Sequence, residues 1–114
     1  MTLKEAIKRA DDLRPNALEP ELKATWIYEL EGQISEMMDM PCPLNVFPKD
    51  AELLMPAPYD NIYYLYAAAM IDFAMQDSQM YDNDMAMFNA ALSEAKMWYR
   101  RSNTPKNQGN WRVM

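Results

Sequence analysis

The chain has 114 residues, half of them apolar and a quarter charged, with a formal net charge of −6; that allows one domain with one modest core and matches the composition of soluble globular proteins. It contains no histidine, one cysteine (Cys42) and two glycines. Those absences exclude Ser-His and Cys-His nucleophile pairs, an internal disulfide, cysteine-based zinc sites, Glu-x-x-His di-iron bundles and glycine-rich phosphate loops.

Thr2 followed by Glu5 has the spacing of a capping box, and Leu3, Ala6, Ile7, Ala10 and Leu13 repeat at helical intervals, predicting a first helix over about 2–13. Pro15-Asn16 ends it, because a residue before proline is pushed out of the helical region. Pro20 suits the first turn of a second helix, 20–38, whose stripe of Leu22, Trp26, Ile27, Leu30, Ile34, Met37 and Met38 faces a core. Glu29, Glu31 and Glu36 are expected on its opposite, solvent side.

Residues 39–58 hold five of the eight prolines, a density no long helix survives. This loop, with Leu44, Val46, Phe47, Leu53, Leu54 and Met55, has two readings: a functional loop containing a small β-hairpin, or a plain connector with apolar side chains tucked on the core. Asp60 is placed to cap a third helix, about 60–76, that is apolar on nearly every side and so calls for burial all round, by a partner if the other helices do not suffice. Asp77 or Ser78 opens a fourth helix, about 78–101, with Tyr81, Met85, Phe88, Leu92, Ala95 and Tyr99 on one face and Arg100 and Arg101 at the negative end of its dipole. The expected whole is an all-α domain of about four helices over 1–101, followed by a flexible, extended C-terminal tail over 102–114.

Asp77, Asp82 and Asp84 lack the intervals and the central glycine of a calcium loop, so capping and solvation explain them better than a metal. Paired-carboxylate hydrolysis needs only two acids at the right separation, yet no cleft-forming signal accompanies them. The expectation is therefore no enzyme, no catalytic residues, no metal and no cofactor. Twelve methionines and thirteen aromatics point instead to surfaces where proteins meet. The run Tyr59, Tyr63, Tyr64 and Tyr66 suits a surface wet before assembly and dry after it. Phe47, Leu53, Leu54, Tyr59, Tyr63, Lys106, Trp111 and Arg112 are the candidate protein-interface residues, with Trp111 the natural anchor of a tail that docks in a neighbouring subunit. Charge is unevenly placed: residues 1–60 carry twelve acids against six bases, and no acid follows Glu94. That balance argues against bulk nucleic-acid binding by the whole domain. No apolar run approaches the roughly 20 residues of a membrane span, and the N-terminus lacks a signal-peptide core. Synthesis and retention in the cytoplasm, without membrane contact, are expected.

Several stretches carry a further likeness: Met1-Thr2-Leu3-Lys4-Glu5-Ala6-Ile7, Trp26-Ile27-Tyr28-Glu29-Leu30-Glu31-Gly32, Pro56-Ala57-Pro58-Tyr59-Asp60 and Met87-Phe88-Asn89-Ala90-Ala91. Together they resemble the head-tail connector (head-completion, adaptor) proteins of siphophages and prophages of Gram-positive hosts. The chain departs from that pattern in a longer insert before Pro56. The resemblance implies a helical virion subunit that forms a homo-oligomeric ring in the neck. Its partners would be further copies of itself, the portal protein, the next neck or tail protein, and DNA passing without sequence-specific binding. The alternative drawn from the acidic balance alone is a small regulatory or inhibitor protein that binds a partner protein.

Overall fold

The structure is a computed structural model that describes residues 1–41 and 52–103. Four helices follow in order: α1 (Leu3–Leu13), α2 (Pro20–Met38), α3 (Asn61–Ala74) and α4 (Ser78–Asn103). Among the described residues no strand forms, and the fold is all-α, as the periodicities predict. Three of the predicted helices differ at an end, and α4 runs on through Asn103 into what was expected as tail. Phe47, Lys106, Trp111 and Arg112 lie outside the described residues, as does half of the proline-rich loop.

The capping box at Thr2 forms in both directions: the Glu5 amide donates to Thr2 Oγ1 at 3.2 Å and the Thr2 amide to Glu5 Oε1 at 2.9 Å. Its hydrogen bonds hold the Glu5 carboxyl below the usual glutamate range. The turn between α1 and α2 is organised by Asn16, whose amide donates to Asp11 and to the Arg14 carbonyl while its Oδ1 accepts from the Leu18 amide. Lys23 closes this turn. It is only 3% exposed, and its ammonium reaches Asp11 Oδ1 at 2.7 Å and Asn16 Oδ1 at 3.1 Å. Burying its stem while pairing its head is how a lysine becomes a core residue.

Helix α3 is the centre of the molecule, packed against all three other helices. Ala67, Ala68 and Ala69 are consecutive and all buried; at 100° per residue they cover more than half the circumference, so neighbours approach closely on several sides. The subunit's own helices therefore cover most of α3, and the large exposed apolar group left on it is Phe73, at 62%. Asp60 stands at the N-cap position but makes no side-chain cap. Its carboxylate instead faces the chain's N-terminal ammonium at 3.4 Å, beside Glu52 at 2.6 Å.

Residues 52–60 run back along the helices as an irregular segment. No hairpin forms in this part of the loop. Thr2 and Glu52 make an isolated antiparallel bridge, and the Leu53 amide donates to the Met1 carbonyl at 3.0 Å. The N-terminus thus takes the backbone partner that a second strand would have supplied.

Candidate functional site

Three side-chain groupings and two grooves organise the surface. The first grouping seats the 52–60 segment. Glu31, expected on the solvent side of α2, is fully buried. Its Oε2 accepts from the Leu54 amide at 2.7 Å and its Oε1 from the Tyr63 hydroxyl at 2.6 Å, while that hydroxyl accepts from the Met55 amide at 2.9 Å. No cation pairs with Glu31 among the described residues, and burial pushes its carboxyl above the usual range against those hydrogen bonds. Tyr63 is likewise raised, by burial and by the adjacent carboxyl.

The second grouping joins three helices at one end of the bundle. Arg14, at the end of α1, sits between Asp72 of α3 and Asp84 of α4, with Nε 3.2 Å from Asp72 Oδ1 and a terminal nitrogen 2.8 Å from Asp84 Oδ1. Both aspartates are buried, and each keeps a second oxygen without a hydrogen-bond partner. One guanidinium serving two carboxylates leaves a negative charge out of water. The consequence falls on Asp72, pushed up to about 7 by burial and by Asp84, against the pull of Arg14.

The third grouping is aromatic and is spread along the helices. Tyr59 stacks on Trp98 with centroids 5.0 Å apart, and the Tyr99 hydroxyl donates to the Met38 carbonyl at 2.9 Å. Tyr66 packs on Phe88, and Arg9 lies over the ring of Tyr64.

Of the expected interface residues within reach, Leu53 and Tyr63 are buried in the subunit itself, and Leu54 and Tyr59 are half-buried against it. Tyr63 is therefore a core residue here: a hydroxyl that finds two partners inside the fold has no need of a wet surface. The side chains left open are others. Phe73, Met75, Met87 and Met97 of the α3–α4 hairpin are each more than half exposed, and Leu13, Leu22 and Met40 are partly so.

Two grooves accompany them. One, of about 630 Å³, lies at the α3–α4 corner and is lined by Phe73, Ala74, Gln76, Asp77, Ser78 and Tyr81. The other, of about 420 Å³, runs between α2 and α4 over Leu30, Ile34 and Leu92, with Lys96 and Arg100 on its rim.

The three acids tested as a metal site separate completely. Asp77 accepts from the Met80 amide at the start of α4, Asp82 faces water, and Asp84 meets Arg14. Among the described residues no group of three or more potential ligands converges for a metal ion, and no helix is long and apolar enough to cross a membrane.

Sequence reasoning did not single out Arg14 or Asp72, and it placed Glu31 and Asp84 in water where the structure buries them. Signals for two of them were present. Glu31 lies four residues after Ile27 and four before Ser35, on the buried side of α2, and Asp72 interrupts an otherwise apolar helix. An ionisable group on such a face calls for an internal partner. No protein-family model matches this chain, and neither does any curated protein or any solved structure.

Proposed function

We propose that this protein is a structural subunit of a phage head-tail connector, assembling as a ring between the portal and the neck or tail and extending the channel through which DNA passes. The sequence likeness supplies the place in the particle. The observation that supports an assembly role is the distribution of large apolar side chains: Phe73, Met75, Met87 and Met97 all stand open on one helical hairpin, although α3 and α4 otherwise bury their contact faces against each other. Open methionine and aromatic side chains are of the kinds enriched where proteins meet. A heterologous contact, one patch against a different patch on the next copy, closes into a ring when the rotation permits. The acidic balance of residues 1–60 would let DNA slide past without adhering.

The test is to mix the protein with its cognate portal and image the product by electron microscopy, beside particles made without the gene. An added ring on the portal, and heads that fail to join tails when the gene is lost, are the expected results. A portal left unextended, together with normal tail joining in the deletion, would overturn the reading.

A further inference from the structure

We infer that the α3–α4 corner groove receives the C-terminal segment of a second copy of this chain, with Trp111 seated beside Phe73 and Tyr81 and the basic residues of the segment set against Asp77 and Asp82. The inference rests on the self-assembling subunit proposed above and names the contact that would join neighbours.

Four observations carry it. The groove has an aromatic wall: Phe73 and Tyr81 are in ring contact at 5.6 Å, and Phe73 is 62% exposed. An aromatic-lined groove of about 630 Å³ is the kind of pocket an indole fills. The charges are complementary. Asp77 lines the groove, and Asp82 is exposed one turn into α4. By contrast, the segment after Asn103 contains Lys106 and Arg112 and no acid.

Reach works against the chain's own segment. Helix α4 has 26 residues, so its first residue and Asn103 stand about 37 Å apart at 1.5 Å per residue. Trp111 lies eight residues beyond Asn103, and eight residues span at most about 28 Å even when fully extended. Folded straight back along α4, the segment's backbone ends short of the corner, and its indole would approach Tyr81 only with every residue fully stretched. The placement of the two parts completes the case. The groove is at the end of the bundle where α4 begins, the segment leaves from the end where α4 stops, and a contact between them is head-to-tail, the geometry that repeats around a ring.

The contact is tested by disulfide trapping in the full-length protein with Cys42→Ser. Gln76→Cys in the groove and Asn110→Cys beside Trp111 are placed on separate chains, mixed at high concentration and oxidised, and the products are resolved under non-reducing conditions. The expected result is a mixed dimer joined through positions 76 and 110 in excess over either homodimer. With both substitutions on one chain, a ladder of dimers and larger species should form. Phe73→Ala and Trp111→Ala, introduced separately, should each lower the yield roughly tenfold. Asp77→Lys should lower it too, with recovery when the partner carries Arg112→Asp. A closed monomer, a dimer joined through two copies of position 76, no cross-link, or a yield indifferent to Phe73 and Trp111 would each overturn the contact.

The two proposals separate cleanly. A protein that extends the portal ring without the cross-link loses this contact and keeps the connector role. A ladder from a protein that ignores the portal does the reverse.

Discussion

The Tyr63 hydroxyl donates to Glu31 Oε1 at 2.6 Å in a part of the core closed to water, and both groups also hold the backbone of residues 54 and 55. A carboxyl and a phenol thereby fix an irregular segment onto two helices. Tyr63→Phe leaves the Met55 amide without its acceptor and Glu31 with one partner, and should cost about 1–3 kcal/mol in urea unfolding. Glu31→Gln keeps the volume and an acceptor oxygen, so it should cost clearly less than Glu31→Ala. Equal losses for the two would show that the hydrogen bonds contribute little.

Arg14 is the one described cation facing Asp72 and Asp84. Arg14→Met leaves the Asp72–Asp84 pair and its buried negative charge without a cation, and should destabilise by about 3–5 kcal/mol. Adding Asp72→Asn and Asp84→Asn to that variant should recover most of the loss, because neutral amides carry no charge to strand. A triple variant no more stable than Arg14→Met alone would contradict the electrostatic account.

Stability should also depend on pH through Asp72. Its neighbours are Arg14 from α1, Asp84 from α4 and Asp77 from the turn between α3 and α4. Its folded-state pKa lies above the ordinary 3.8, at about 7, so the folded protein holds a proton that the unfolded chain has released. The resulting stabilisation is complete below the ordinary value and is lost as pH rises through about 7, at about 1.4 kcal/mol per unit of separation. Unfolding midpoints of the parent protein should fall from pH 5 to pH 8 more steeply than those of Asp72→Asn. Parallel profiles would place the proton elsewhere.

Gly32 lies inside α2, and a methyl group there would meet nothing within 4 Å. Gly32→Ala should therefore stabilise by up to about 1 kcal/mol, through reduced freedom of the unfolded chain and better helix propensity. Thermal melting should shift upward by about 4–6 °C for a domain of this size. A lower melting temperature would reveal a need for glycine that the fold does not show.

Helix 20–38 was legible to the residue, since Pro20 and the run from Trp26 to Met38 act locally. The capping box at Thr2 was legible for the same reason: its two bonds span three residues. The burial of Tyr63 was not. Tyrosine reads alike whether its hydroxyl faces water or a buried acid, and Tyr63 was assigned to a surface because its partners lie 8 and 32 positions away in the chain. Glu31 was assigned to water by its charge, although its position on α2 favoured the inside.

The four tyrosines of the run make separate contacts within the subunit, to Trp98, Glu31, Arg9 and Phe88, and Tyr63 alone is fully buried. The sequence by itself determined the all-α class, the order of the four helices and the absence of histidine chemistry, because periodicity, caps and composition act within a few residues or over the chain as a whole. Only the tertiary structure decided which charges go inside and which apolar groups stay out. Burying Glu31, Lys23 and Asp72 depends on partners brought together from separate helices, and Phe73 remains open because α3 ends one residue later and Tyr81 covers only part of its ring.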